Sequence, residues 1–448
     1  MNLDRDALLE GLKSFLRLPS ISALPEHQPD IRRTAEFVAA ELQVAGLDQV
    51  RLIEGGGNPL VSAEWLHAPG KPTLLLYGHY DVQPPDPLDE WRSPPFEPTI
   101  VGDDLFARGA CDDKGQTWIL IQAVRALLAE RGALPVNVRF LIEGEEEVGG
   151  GHIESYIRRQ GRDLGADAAL ICDTELFAPG LPTLCVGLRG IVYTEVEVTG
   201  ADHDLHSGVY GGVAPNPLQA MAEILAGLKD PQGRILIPGF CDRVRPPSPA
   251  ELEAWARLPF DERQYRTKEI GVSELVGEPG YSIFERTWAR PTLEVHGIRG
   301  GFTGEGAKTV IPARATAKIS MRLVPDMDPA ETFRLFADHV ARLTPRGVRS
   351  RVTNLHGAGP SVVDPDNRFI RIAAQALEEV FGAPTVYIRS GGSIPIVGLF
   401  HDYSGIPSVL MGFGLPDDNL HAPNEKFHLP NLFSGIAAVA RYLELLGQ

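Results

Sequence analysis

Five short segments of the 448-residue sequence carry histidine or paired carboxylates where strands or loops are predicted to end. They are GHYDV from Gly78, RGACDDKG from Arg108, EGEEEVG from Glu143, ICDTE from Ile171 and NLHAPNE from Asn419. Imidazole and carboxylate groups together suit zinc and also accept manganese or cobalt. A carboxylate bridging two such metals would hold them about 3.5 to 4 Å apart, close enough to activate a shared water as nucleophile. The set predicts a hydrolytic centre with two divalent metal ions.

Taken singly, each segment has a simpler interpretation. His79 and Asp81 stand two apart on an extended backbone and point the same way, but a histidine at a strand end is often only hydrogen-bonded. Asp112 and Asp113 precede a helix, where aspartates are ordinary caps. Three contiguous glutamates, residues 145–147, would elsewhere be a solvated face. Here they follow a buried strand, so a cation would offset their repulsion and one unligated glutamate could act as a general base.

Strands that alternate with helices must position these segments. Residues 73–78, 136–143 and 168–173 are short apolar runs, which is typical of strands buried on both faces of a mostly parallel sheet. A helix over about 114–130 separates the first two, and two amphipathic helices are predicted within residues 4–45. Ligands of open α/β sheets bind at the carboxyl ends of the strands, where the polar segments lie.

The pattern changes after residue 186. Residues 190–199 and 313–323 alternate like half-exposed strands, and a helix is predicted over 217–228. Residues 231–290 are rich in proline, glycine and charge, and we interpret them as an elaborated loop with short helices. These features predict an inserted α+β domain.

The α/β pattern returns after residue 357, with a helix over 367–381, a strand over 408–412 and a closing helix over 432–446. The predicted organisation is therefore discontinuous. Residues 1–186 and 358–448 form a catalytic, metal-binding domain, and residues 187–357 form the inserted domain.

Composition argues against several other classes of protein. The formal net charge is −17 and no run of lysine and arginine occurs, which is unfavourable for binding nucleic acid. No apolar stretch approaches the roughly 20 residues that span a bilayer, so no membrane role is expected. The four cysteines are far apart without a C-x-x-C pair, which predicts neither a disulfide framework nor a cysteine zinc site and favours the cytoplasm.

Together the segments resemble the superfamily of zinc aminoacylases, glutamate carboxypeptidases and dipeptidases, and most of all its cytosolic nonspecific dipeptidase and carnosinase branch. The motifs appear as GHYDVQP, RGACDDKG, EGEEEVG, ICD and HAPNE, and the resemblance extends over nearly the whole chain. It implies an α/β fold: a di-zinc peptidase catalytic domain with a mostly parallel central sheet, plus an inserted α+β lid domain through which two chains form a homodimer.

The resemblance also implies a role for each residue of the centre. His79 and Asp173 would bind one metal, Glu147 and His421 the other, and Asp112 would bridge them, with zinc as the first choice and manganese or cobalt as alternatives. Glu146 would be the general base and Asp81 would orient His79, whereas Glu145 receives no role. The peptide bond between Asp112 and Asp113 is expected to be cis.

In the inserted domain, the resemblance assigns His206 of the DLHSG segment to the active site of the partner subunit, where it would polarise the scissile carbonyl. Thr309, Arg322 and Ser393 would hold the C-terminal carboxylate of the substrate, for which the planar guanidinium of arginine is well shaped. One position departs from the pattern. Relatives usually carry glutamate before Gly-Gly-Ser, but this chain has Ser390, which leaves the side-chain specificity open.

The function implied is that of a metal-dependent dipeptidase that hydrolyses small peptides through a water bridging two metals. An N-acyl amino acid deacylase, a glutamate-releasing carboxypeptidase and a desuccinylase of lysine biosynthesis would share the same metal ligands, so the ligands alone leave these alternatives open. A noncatalytic metal-binding protein is the alternative from another class. The presence of Glu146 argues against it, because a structural metal site needs no general base.

Overall fold

The chain divides into two units in the computed structural model, which describes residues 4–448. Of the described residues, the first unit comprises 4–186, Val363–Ile388 and Pro395–Gln448, and the second comprises Gly187–Val362 and Arg389–Ile394. The second unit therefore extends beyond residue 357 of the predicted insertion. One reason is that Ser361 and Val362 pair with Leu188 and Gly187.

Regular elements occur throughout the described residues. The strands, in chain order, are β1 Asp48–Ile53, β2 Leu60–Trp65, β3 Thr73–His79, β4 Thr99–Val101, β5 Asp104–Phe106, β6 Asn137–Glu143, β7 Ala168–Ile171, β8 Thr183–Leu188, β9 Gly190–Thr199, β10 Leu205–His206, β11 Thr292–Gly300, β12 Val310–Ile311, β13 Arg314–Leu323, β14 Arg349–Ala358, β15 Ser361–Val362, β16 Val386–Ser390, β17 Ser408–Leu410 and β18 Lys426–His428. The helices are α1 Arg5–Leu16, α2 Gln28–Val44, α3 Lys114–Arg131, α4 Gly151–Gln160, α5 Ser207–Tyr210, α6 Pro217–Ala226, α7 Pro249–Ala256, α8 Glu262–Gln264, α9 Pro329–Leu343, α10 Arg368–Phe381, α11 Pro395–Leu399 and α12 Leu429–Leu446.

A mostly parallel sheet forms the centre of the first unit, in the order β1-β2-β6-β3-β7-β17-β8. β3 pairs in parallel with β6 and β7, and β7 pairs in parallel with β17. The outer pairs β1–β2 and β2–β6 are antiparallel, as is the contact of β17 with β8. The predicted fold class is confirmed, and β3, β6 and β7 are the three apolar runs that the sequence predicted to be buried strands.

Helices α1, α2, α3, α10 and α12 contribute the apolar residues that pack in the main core of this unit. Phe15 of α1, Phe37 of α2 and Trp118 of α3 form an aromatic group with ring centroids 5.3 to 6.3 Å apart. A Cβ atom on Gly11 would lie 2.6 Å from the Trp118 ring, so only glycine permits this close approach of α1. The packing fixes α3, and with it the loop that precedes α3.

The second unit is built on a four-stranded antiparallel sheet in the order β11-β13-β9-β14. Buried and half-buried residues alternate along β9, as the sequence predicted, and the buried ones pack with α6 and α9 in a separate core. Beside this sheet, β10 and β12 form a two-stranded ribbon in which His206 pairs with Val310. The loop region 231–290 contains the short helices α7 and α8, as the sequence predicted.

Within residues 4–448, no helix has the length and apolar composition that crossing a membrane requires. Cys111, Cys172, Cys185 and Cys241 are all free cysteines. This agrees with the sequence, whose cysteine spacing predicted no disulfide framework.

Candidate metal centre

The polar segments of the first unit meet at the carboxyl edge of its parallel strands. His79 is the last residue of β3, Glu146 and Glu147 lie in the turn after β6, and Asp173 follows β7. Because β6, β3 and β7 are neighbours and run in parallel, their ends bring these side chains to one place. Asp112 comes from the loop before α3.

Two sets of ligand atoms lie close enough together to hold metal ions. The nitrogen and carboxylate oxygen atoms of His79, Asp112 and Asp173 are all within 4.8 Å of one another. The ligand atoms of Asp112, Glu147 and His421 also lie within 4.8 Å of one another. His421 is in the loop before β18. Asp112 is common to both sets.

The carboxylate of Asp112 faces a different histidine with each oxygen. Its Oδ1 lies 3.1 Å from His79 Nε2 and its Oδ2 lies 2.9 Å from His421 Nε2. His421 Nε2 is also 3.4 Å from an oxygen of Glu147. Burial would raise the pKa of Asp112, but the hydrogen bonds from His421 and His79 hold it below its ordinary value. The peptide bond between Asp112 and Asp113 is cis, as expected.

Asp81 connects His79 to the glutamate turn. Both side chains are fully buried, and His79 Nδ1 lies 3.4 Å from a carboxylate oxygen of Asp81 and 3.1 Å from its carbonyl oxygen. The backbone N–H groups of Glu146 and Glu147 each donate to the Asp81 carboxylate at 3.2 Å. This side chain therefore fixes both the imidazole ring and the turn that carries the two glutamates.

Several carboxylates crowd this edge with little positive charge to balance them. Burial raises the pKa of Glu146 to about 7 and that of Glu147 to about 8. Burial also raises the pKa of Asp173 well above its ordinary value, and the charges of Asp112 and Asp113 raise it further. Divalent cations would offset both the burial cost and the mutual repulsion, so this donor set fits metal ions.

Glu145 has a different environment from the two glutamates that follow it. Its carboxylate accepts hydrogen bonds from the backbone N–H groups of Asn58 at 2.8 Å and His152 at 3.0 Å. Neither of the two donor sets includes it. The carboxylate of Glu145 thus anchors the turn to the loop at Asn58 and to the start of α4.

Sequence reasoning assigned no role to two groups that hold the centre together. The Glu425 carboxylate accepts from the N–H groups of Gly109, Cys111 and Asp112 at 2.8, 3.0 and 3.1 Å. Gln83 donates to Glu147 Oε2 at 2.8 Å. Glu425 is part of the HAPNE motif and Gln83 is part of GHYDVQP. Their place in these motifs was the only feature of the sequence that could have indicated a role for them.

Arg108 neutralises part of the charge that Glu425 brings to this loop. Its Nη1 donates to a Glu425 oxygen at 2.8 Å, and both side chains are about 1% exposed. Burial nevertheless raises the pKa of Glu425, and the charge of Arg108 and the backbone hydrogen bonds lower it only in part. Losing either partner would leave a buried charge, so the pair supports the hydrogen bonds of Glu425 to the Asp112 loop.

The candidate residues of the second unit form two pairs. Arg322 Nη1 donates to Ser393 Oγ at 2.7 Å, and Ser393 Oγ in turn donates to the carbonyl oxygen of Arg189. His206 and Thr309 are both exposed; His206 lies on β10, and Thr309 directly precedes β12 and accepts, through its carbonyl, from the backbone N–H of Ser207 at 3.1 Å.

Comparison with known proteins identifies the family. Residues 75–445 match the family described as Peptidase family M20/M25/M40. The chain belongs to this family. It is therefore a metallopeptidase, and the predicted resemblance is confirmed.

Three members of the M20 family illustrate the similarity. The Cys-Gly metallodipeptidase of Schizosaccharomyces pombe is 32% identical over 99% of this chain and 96% of its own length. The crystal structure of human carnosine dipeptidase 1 has a TM-score of 0.88 at 32% identity and covers 99% of this chain and 96% of that chain. The crystal structure of an M20 family metallo-carboxypeptidase from Sulfolobus solfataricus has a TM-score of 0.87 at 33% identity. The match covers 98% of this chain and 99% of that chain.

Proposed function

We propose that this M20 peptidase is a dipeptidase that hydrolyses the amide bond of dipeptides with two divalent metal ions. The observation that carries the proposal is the sharing of Asp112 between two neighbouring sets of ligand atoms. The names of the Schizosaccharomyces pombe and human relatives, both dipeptidases that align with almost the whole chain, support the substrate class.

We assign one metal to His79 and Asp173 and the other to Glu147 and His421, with Asp112 as the bridge. The two Asp112 oxygens face His79 and His421 separately, which supports the bridging role. Mixed imidazole and carboxylate donors favour zinc and also accept manganese or cobalt. When bound, the two ions would supply the charge that polarises the scissile carbonyl and lowers the pKa of the attacking water.

Glu146 is the general base of this mechanism. Its carboxylate belongs to neither set of ligands, so it remains free to accept and release a proton. It takes the proton of the attacking water on a carboxylate oxygen and later donates it to the leaving amine. Asp81 is the positioning residue, since its carboxylate holds the backbone of Glu146.

The second unit binds and polarises the substrate in this proposal. Arg322 and Ser393 hold the C-terminal carboxylate together with Thr309, and the hydrogen bond between Arg322 and Ser393 supports a common task. His206 stabilises the oxyanion in the active site of a partner subunit, so the enzyme acts as a homodimer. The exposure of His206 supports a role outside its own unit.

We place the enzyme in the cytoplasm, where its four free cysteines would remain reduced. An acidic chain without basic runs has no feature that favours nucleic acid as a partner.

A second candidate function is that of a carboxypeptidase on longer substrates. It is favoured by one observation, the 33% identity to the Sulfolobus solfataricus metallo-carboxypeptidase. The N-acyl amino acid deacylase and glutamate-releasing alternatives would use the same centre.

The test is hydrolysis of free dipeptides, N-acyl amino acids and folate-type glutamates by the metal-stripped protein, with and without added zinc, manganese or cobalt. We expect added metal to restore dipeptide cleavage with little deacylation. Cleavage of N-acyl substrates alone would be consistent with the proposed metal centre but would refute dipeptides as the substrate class. Absence of cleavage with every metal would refute the enzymatic proposal.

A further inference from the structure

The segment Arg389–Ile394 belongs to the second unit and contains Ser393, so we call it the Ser393 segment. Hydrogen bonds hold its C-terminal half. The backbone N–H of Arg189 donates to the carbonyl of Gly392 at 3.0 Å. Ser393 Oγ donates to the carbonyl of Arg189 and accepts from Arg322 Nη1 at 2.7 Å. Because a serine side chain is short, the backbone of the Ser393 segment determines where this hydroxyl lies.

An ion pair holds the N-terminal end of the Ser393 segment. Arg389 is 5% exposed, and its Nε and Nη2 both donate to Glu251 Oε1, at 3.0 and 2.5 Å. The Nη1 atom of Arg389 is buried and has no hydrogen-bond partner within residues 4–448. Glu251 therefore supplies negative charge to a buried guanidinium group, and removing that charge would leave a buried cation unpaired.

Glu251 is itself fixed at the start of α7. Ser248 Oγ accepts from the backbone N–H of Glu251 at 3.2 Å, and Glu251 Oε2 accepts from the backbone N–H of Ser248 at 2.8 Å, which is a capping box. Burial would raise the pKa of Glu251, but the hydrogen bond from Ser248 and the charge of Arg389 hold it below its ordinary value. One carboxylate oxygen thus caps α7 while the other binds Arg389.

Aromatic rings of the loop region 231–290 pack beside this ion pair. The guanidinium carbon of Arg389 lies 5.6 Å from the centroid of the Trp255 ring. Trp255 meets Trp288 edge to face with centroids 5.3 Å apart, and Trp288 stacks on Phe284 at 4.4 Å. The rings connect α7 with the end of the loop region, so Arg389 contacts a packed part of this region.

Glycines allow the Ser393 segment to approach its neighbours closely. A Cβ atom on Gly391 would lie 3.3 Å from the carbonyl oxygen of Thr287. A Cβ atom on Gly187 of β8 would lie 3.0 Å from Cγ and Cδ of Arg389. The loop region 231–290 therefore borders the Ser393 segment at both Arg389 and Gly391, on the N-terminal side of Ser393.

We propose that Glu251 is a positioning residue for substrate binding, which holds Arg389 and thereby places Ser393 at the C-terminal carboxylate of the substrate. This inference rests on the proposed function, which assigns that carboxylate to Ser393 and Arg322. Displacing a binding group by about 1 Å is enough to weaken its contact with the substrate strongly. The loop region 231–290 then has a defined task, which is to support the Ser393 segment.

Glu251→Gln is the first test, because glutamine keeps the capping box and removes the charge that faces Arg389. With metal-loaded enzyme, we expect KM for Ala-Gln to rise about tenfold and kcat to stay within about twofold of the wild type. The C-terminal amide of Ala-Gln lacks the carboxylate, so its kcat/KM should not change. An unchanged KM for Ala-Gln, or equal losses for the acid and the amide, would overturn the inference.

Glu253→Gln is the matched control on the same helix. Glu253 is exposed and pairs with the exposed Arg257, so this variant changes the charge of α7 by the same amount without touching Arg389. Its KM for Ala-Gln should equal that of the wild type. A rise as large as that of Glu251→Gln would overturn the inference, because the charge of α7 would then be the cause.

Arg389→Met removes the other partner and leaves no buried charge, since the Glu251 side chain is 29% exposed. We expect the same rise in KM for Ala-Gln, with thermal unfolding used to confirm that each variant is folded. A folded Arg389→Met protein with the KM of the wild type would overturn the inference.

Ser393→Ala separates failure of this inference from failure of the proposed function. If Glu251 acts through Ser393, the double variant Glu251→Gln/Ser393→Ala should have the KM of Ser393→Ala alone, whereas independent effects would multiply and contradict the inference. If Ser393→Ala raises KM for Ala-Gln and Glu251→Gln does not, the inference is wrong and the proposed function stands. If Ser393→Ala leaves KM unchanged, the assignment of Ser393 in the proposed function is wrong and the inference falls with it.

Discussion

The metal centre of the first unit and the candidate residues of the second unit differ in how the chain assembles them. In the first unit, five potential ligands from separate segments lie within two sets whose atoms are within 4.8 Å of one another. In the second unit, Arg322 and Ser393 contact each other, whereas His206 on β10 and Thr309 beside β12 are exposed.

In the proposed function, the difference follows from what each region binds. Neighbouring parallel strands bring the ends of β3, β6 and β7 together whether or not a ligand is present, so the centre needs only cations to complete it. Groups that bind a substrate or a partner chain need contacts that are made only on binding. Mutations in the first region should therefore change catalysis through the centre, and those in the second should spare its metal content.

Glu146→Gln should have the largest effect among variants that keep the metal ions. Loss of the general base should lower kcat by about 10²- to 10⁴-fold, while the metal content per chain stays that of the wild type. Steady-state kinetics and elemental analysis of the same preparation check both. Turnover close to the wild-type rate would refute the assignment of Glu146.

His206→Ala should lower kcat by about 10²- to 10³-fold, because it removes a donor to the oxyanion, and it should leave the metal content unchanged. Co-expression with Glu146→Gln sharpens the comparison. If His206 acts in the partner subunit, mixed dimers contain one intact site and regain activity. Mixed dimers as inactive as either parent would contradict action across subunits.

Arg322→Met should act on substrate binding more than on chemistry. Loss of a charge-assisted pair to the C-terminal carboxylate should raise KM for Ala-Gln roughly ten- to a hundredfold. The C-terminal amide of Ala-Gln, which lacks that carboxylate, should be cleaved equally poorly by the wild type and the variant. An unchanged KM for free Ala-Gln would exclude Arg322 as the carboxylate-binding group.

Glu145→Gln should have the smallest effect on turnover and serves as the matched control for Glu146→Gln. Its carboxylate accepts from two backbone N–H groups, so the variant should keep kcat and lose about 1 to 3 kcal/mol of unfolding free energy. Guanidinium chloride unfolding measures the loss. A collapse of kcat with unchanged stability would assign the base to Glu145.

Sequence alone predicted the central elements well and the outer ones poorly. Apolar runs identified β3, β6 and β7 because strands covered on both faces need apolar residues throughout. β1 and β14 were not recognised: neither strand contains a fully buried residue, and the exposed and half-buried positions give no clear period. Motifs pointed to the candidate ligands, but the contact of Glu425 with the Asp112 loop joins residues more than 300 positions apart and has no local pattern.

Metal content per chain is the measurement that tests the central claim most directly. Wild-type protein and the Asp112→Ala variant would be equilibrated with zinc, freed of unbound metal by gel filtration and analysed by mass spectrometry of the elements. The shared role of Asp112 predicts two ions per chain in the wild type and fewer than one in the variant. A wild type that retains a single ion, or a variant that retains two, would contradict it.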